Sequence, residues 1–183
     1  MISSIITIVY FDRQIFLLGE IIMARVILCD DCMRKNGIIR LDSAGIENIL
    51  PHRRKALMPN SIFEYDGRIH GSFLPSMDMF EGHFDRNPIL PAMYIQEAGS
   101  QAMLCAAVLT LREKEGPVEV RASVMKVKPI KPVIPGQEIF FSLEELGKPK
   151  VLHGMNLLSG MISAWAGGLH VANIWTSGSV KFL

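Results

Sequence analysis

The chain is expected to fold as one α+β domain, with an antiparallel sheet wrapped around a single long central helix. Three observations predict this. The run from Ala92 to Leu111 is rich in Ala, Met and Leu and apolar almost all round, the pattern of a buried helix rather than a surface one. Nearly everything after it reads as strand. Asp66-Gly67 and Gly167-Gly168 sit between strand-like runs, and such pairs make two-residue hairpin turns.

The elements follow in order. Met1 to Ile22 is unusually apolar, but Asp12, Arg13 and Glu20 interrupt it, so it lacks the ~20 uninterrupted apolar residues of a membrane span. It has no cationic start and no clear small-residue cleavage site, so a signal peptide is not expected. Residues 1–22 read as an N-terminal strand or extension, and residues 23–183 as the domain. Arg25 to Cys29 is a short β-type run. Ser43 is expected to cap a short helix carrying Ile46, Ile49 and Leu50 on one face, with Pro51 ending it. Ser61 to Tyr65 and Arg68 to Phe73 read as the arms of a hairpin. Gly82 to Pro91 is loop. Pro91 suits the first position of the central helix, and Gly116-Pro117 stops it after the charges of Arg112 to Glu115. Val118 to Val127, Ile139 to Leu146, Val151 to Ala166, Leu169 to Trp175 and Gly178 to Phe182 read as strands, with a strongly bent crossing at Pro129 to Gly136.

Bulk properties narrow the function. The 183 residues are 49% hydrophobic and 20% charged, with net charge +1, which argues against a dedicated nucleic-acid binder. Three cysteines make no secreted disulfide framework, and a reducing cytoplasm is the expected compartment. No glycine-rich phosphate loop is present.

The chemistry is concentrated in Gly82-His83-Phe84, Pro88, Pro91 and Glu97. His83 lies in a turn shaped by Gly and Pro. Glu97 stands fourteen positions later, inside the apolar helix. Burying an unpaired charge is costly, so such an acid either reaches solvent at the helix edge or has work to do. Histidine with a carboxylate in a partly dry site is what proton transfer near neutral pH requires. The plainer reading of Glu97 is an acid favoured by the helix dipole.

Four blocks carry a resemblance: Ile49-Leu50-Pro51-His52-Arg53; Gly82-His83-Phe84 with Pro88 and Pro91; Glu97-Ala98; and Pro132-Val133-Ile134-Pro135-Gly136. In this order, over about residues 46–183, the chain resembles the 3-hydroxyacyl-acyl-carrier-protein dehydratases of fatty-acid synthesis. The acid is Glu, as in the general dehydratases, rather than the Asp of the dehydratase-isomerase branch. The resemblance implies the hot-dog fold and a homodimer, in some members a trimer of dimers. It implies active sites at the subunit interface, where His83 of one chain faces Glu97 of the other. The implied reaction is loss of water from a (3R)-hydroxyacyl thioester on acyl carrier protein to give the trans-2-enoyl thioester, with no metal or cofactor. His83 is the expected base and Glu97 the expected acid. Phe84, Pro91, Ala92 and Gln101 are expected to line the substrate site. The Ala92 N–H at the helix start would face the developing oxyanion, and Gln101, one turn after Glu97, would orient its carboxylate. A hydrolase of the same fold could use Glu97 to activate water but leaves His83 unexplained. A non-catalytic acyl-binding subunit would need neither residue.

The chain departs from the family at three places. Asp85-Arg86 stands for Pro-Gly, Ala92 for Gly, and Gly99-Ser100 for a bulkier pair. Asp85 is expected to pair with Arg86 rather than reach His83. Within the first block, Pro51-His52-Arg53 reads as a structural turn, and His52 is not the family's catalytic histidine. His70, His153 and His170 carry no recognisable spacing. Cys29-Asp30-Asp31-Cys32 lacks a second ligand pair for structural zinc. Cys105 reads as core. Met77, Met79, Met93 and Met103 fit either an acyl tunnel or the core. Arg121, Lys126, Lys128 and Lys131 read as a solvated strand face, with steering of an acidic carrier protein as the alternative.

Overall fold

A computed structural model describes residues 36–112 and 116–183. The 1–22 extension, the Arg25–Cys29 run, the Cys29/Cys32 pair and the charges at 113–115 lie outside the described residues. The chain runs β1 (Ile38–Leu41), α1 (Ser43–Ile49), a 3-10 turn (Arg54–Ala56), β2 (Ser61–Tyr65), β3 (Arg68–Phe73) and a second 3-10 turn (Met77–Phe80). Then come α2 (Ala92–Leu111), β4 (Val118–Pro129), β5 (Ile139–Leu146), β6 (Lys150–Leu152), β7 (Met155–Ala166) and β8 (Leu169–Phe182). One antiparallel sheet has the order β1-β2-β3-β5-β7-β8-β4, with β6 paired to β7. The sheet curls around α2, which packs on β2, β3, β4, β5, β7 and β8. This is the hot-dog arrangement.

The core explains why α2 is apolar all round. Ile95, Ala98 and every residue from Ala102 to Val108 are buried, enclosed by Ile62, Phe73, Phe141, Ile162, Ile174 and Val180 from the strands. Small residues set the helix-to-sheet distance. A Cβ on Gly71 of β3 would lie 2.7 Å from Ala102 Cβ, and one on Gly99 would lie 2.5 Å from Ile174 Cδ1. The Gly99 departure from the family is therefore filled by Ile174 and Phe141.

Several boundaries differ from expectation. The cap of α1 is Asp42, not Ser43: its carboxylate accepts from the Gly45 N–H at 2.9 Å, and Ser43 is the first helical residue. Pro91 is the N-cap of α2 rather than its first residue. Strand β1, unforeseen in the sequence, forms the edge beside β2. The single strand expected over Val151–Ala166 is a hairpin, β6 and β7, turning at His153 (φ 49°) and Gly154 (φ 74°). The two strands expected over 169–182 are one, β8. Asp66-Gly67 and Gly167-Gly168 form the expected two-residue turns, with positive φ at both positions.

Candidate active site

His83 is set by its own loop. Gly82 takes φ +72° and Phe84 takes φ +64°, so the backbone doubles back around the histidine. The His83 N–H donates to Phe80 O at 3.2 Å, and the Ile89 N–H donates to His83 O at 3.4 Å. Leu90 N donates to Val133 O at 2.8 Å, tying this loop to the Pro132–Gly136 bend. The His83 ring is half-buried, and its Nδ1 lies 2.7 Å from Ile89 O. A carbonyl only accepts, so Nδ1 carries the hydrogen, and in the neutral ring Nε2 holds a free lone pair. The Phe84 ring meets the imidazole edge-on, with centroids 4.7 Å apart, and is itself 62% exposed.

Glu97 lies in the second turn of α2. Gln101, one turn on, is buried and donates from Nε2 to Glu97 Oε1 at 2.8 Å. The same Nε2 donates to Ala56 O at 2.8 Å, and Gln101 Oε1 accepts from the Met58 N–H at 3.0 Å. One amide thus pins the 51–58 strap to the helix and holds the carboxylate. His52, on the same strap, brings Nε2 to 3.5 Å from Glu97 Oε1. Glu97 Oε2 has no partner among the described residues.

Of the other expected site residues, Pro91 and Ala92 are half-buried at the start of α2. The Ala92 and Met93 N–H groups make no hydrogen bond among the described residues, as first-turn amides do. The expected pairing of Asp85 with Arg86 does not form: both are exposed, and neither has an ion pair or a bond to His83 among the described residues. The methionines divide. Met103 is core and Met79 packs against it, while Met77 and Met93 are 65% and 68% exposed. Burial pushes the Cys105 thiol up to about 12. The contact not anticipated in the sequence is that of His52 with Glu97. Arg53 Nη1 donates to Leu50 O at 2.6 Å and His52 O at 2.7 Å, so the turn forms as expected. That turn also aims the His52 ring at Glu97. The only signal for this was its place in the Ile49–Arg53 block.

A FabA-like domain is matched over residues 51–174. The chain belongs to the FabA-like 3-hydroxyacyl-acyl-carrier-protein dehydratase family. The matched span of this FabA-like chain starts at the turn that carries His52 and takes in His83, Glu97 and Gln101. A 3-hydroxyacyl-acyl-carrier-protein dehydratase FabZ from Acetivibrio thermocellus is 31% identical over 122 residues, covering 61% of this chain and 83% of that relative. One of the same name from Roseobacter denitrificans is 35% identical over 111 residues, covering 57% and 72%. Among solved structures, an HP0420-homologue from Helicobacter felis aligns with TM-score 0.47 at 18% identity, covering 70% of this chain and 81% of that one. No helix among the described residues is long and apolar enough to cross a membrane.

Proposed function

We propose that this chain dehydrates a (3R)-3-hydroxyacyl thioester on acyl carrier protein to the trans-2-enoyl thioester, in fatty-acid or related lipid synthesis. The observation that supports this best is the His83 tautomer: with Nδ1–H committed to Ile89 O, Nε2 is the basic nitrogen. Nε2 takes the α-proton of the thioester. Charge moves onto the thioester oxygen, where the Ala92 N–H and the positive end of α2 stabilise it. The β-C–O bond breaks as Glu97 of the partner chain delivers a proton, and water leaves. The proton on His83 then returns to Glu97 to reset the site. Substrate passes along Phe84, Pro91 and Ala92, while Gln101 orients Glu97. The elimination is redox-neutral and needs no electron carrier. The reading includes a homodimer as the working unit and a cytoplasmic site of action.

The test uses 3-hydroxybutyryl and crotonyl thioesters, following enoyl absorbance and free thiol together. Interconversion without thiol release is expected. His83→Ala should slow it at least ~10²-fold, the usual contribution of a positioned base, and Glu97→Gln should be similarly impaired. Thiol release without interconversion would replace this reading with a hydrolase.

A further inference from the structure

We propose that His52 is a positioning residue of this site: with Gln101 it holds Glu97 by Oε1, so that Oε2 is the oxygen turned to substrate. The role rests on the dehydratase reading above.

Glu97 Oε1 can accept from more than one donor. Gln101 already divides its amide between Ala56 O and Glu97 Oε1, and its carbonyl oxygen is taken by Met58 N. One N–H alone leaves a carboxylate free to turn about its last torsion, which is broad for glutamate. His52 Nε2, 3.5 Å from the same oxygen, is the second group on it. A bare ring nitrogen facing an ionised carboxylate would set lone pair against lone pair. The tautomer that suits this contact carries its hydrogen on Nε2.

The other nitrogen adds a second observation. His52 Nδ1 is shielded from solvent and has no hydrogen-bond partner. A buried, unsatisfied polar atom costs stability that a carbon ring of the same shape would not. The fold nonetheless fixes the backbone that carries the ring. Arg53 grips the backbone on both sides of the turn, and Gln101 ties the strap to α2. His52, Gln101 and Glu97 thus form one frame with a single oxygen, Oε2, left without a protein partner among the described residues. His52 acts through Glu97, so its loss should lower kcat and leave KM nearly unchanged.

The test compares wild type, His52→Phe and His52→Gln, each with Glu97 intact and with Glu97→Gln, in turnover of 3-hydroxybutyryl thioester and in thermal unfolding. His52→Phe keeps a ring and removes both nitrogens. It should fold as well as wild type or better, with kcat lowered roughly tenfold, the scale of one hydrogen bond to a charged group. His52→Gln restores an N–H and should recover most of the rate. In the Glu97→Gln background, His52→Phe should have little further effect. The proposal is overturned if His52→Phe turns over like wild type, if it slows both backgrounds equally, or if activity falls only as stability falls. A wild-type chain that neither hydrates nor dehydrates these thioesters overturns the dehydratase reading and this role with it. An active wild type with any of the preceding outcomes overturns this role alone.

Discussion

Two buried side chains show how environment sets chemistry one residue at a time. His70 points away from α2, on the opposite face from Gly71, and stacks on Phe63 with ring centroids 5.5 Å apart. Its Nε2–H donates to Tyr65 O at 3.2 Å, and its Nδ1 is buried without a partner. Burial pushes its pKa below the ordinary histidine value, opposed by the Tyr65 bond. The unfolded chain then takes up this proton at higher pH than the folded one. The stability contribution is complete above the unfolded pKa of 6.5 and is lost as pH falls through the folded value. Urea midpoints at pH 8 and pH 5 should therefore differ more for wild type than for His70→Gln; equal differences would refute the assignment. Cys105 is the second case. With its thiol pushed up to about 12 by burial, the reactive thiolate is scarce at pH 8. Mass spectrometry of the Cys105 peptide should show alkylation only as fast as the chain unfolds.

At the scale of the element, α2 is held by closeness rather than by a stripe. Gly99 brings its backbone against Ile174 and Phe141. Gly99→Ala gains about 1 kcal/mol of helix propensity, but its methyl would meet Ile174 Cδ1, and overpacking costs about 1–3 kcal/mol. A net loss of stability is expected. Ile174→Val removes that Cδ1 and on its own costs about 0.5–1.5 kcal/mol. The double variant should be more stable than the sum of the singles. Strict additivity in chemical denaturation would show that the helix shifts instead. The strap at 51–58 is likewise an element-scale device: it has only a 3-10 turn of its own, and Gln101 docks it on α2.

For the whole molecule, the question is whether one chain makes a complete site. Phe84, Met93, Met77 and Ile134 all expose at least half of their surface. A two-fold partner covering them is consistent with the proposed homodimer. If His83 works with Glu97 of the other chain, two inactive proteins should rescue one another. A dimer of one His83→Ala chain and one Glu97→Gln chain has one dead site carrying both changes and one intact site. Equal mixing with subunit exchange should restore roughly a quarter of wild-type activity, since half the dimers are mixed and each has one good site. No recovery, with exchange verified by mass spectrometry, would place both groups in one chain.

The sequence by itself determined what is local or repeated at fixed spacing. An apolar run without a polar face dictates a helix buried all round. Asp66-Gly67 and Gly167-Gly168 dictate their turns, because few residues other than glycine and its polar neighbours take positive φ. The Gly82–Glu97 spacing identified the loop and helix that carry the proposed catalytic pair. What depends on distant pairing was not legible. β1 is a strand only because β2 offers it an edge. His153-Gly154 turns a hairpin although histidine is an unusual first residue for it. The fates of Met103 and Met93, ten residues apart on one helix, were decided by what packs over each. The tertiary structure alone brought His52 to Glu97, because the strap that carries His52 is docked on the helix by the Gln101 amide, which reaches back more than forty residues to Ala56 and Met58. No local propensity encodes a contact of that kind; it exists only once the helix is seated in the sheet.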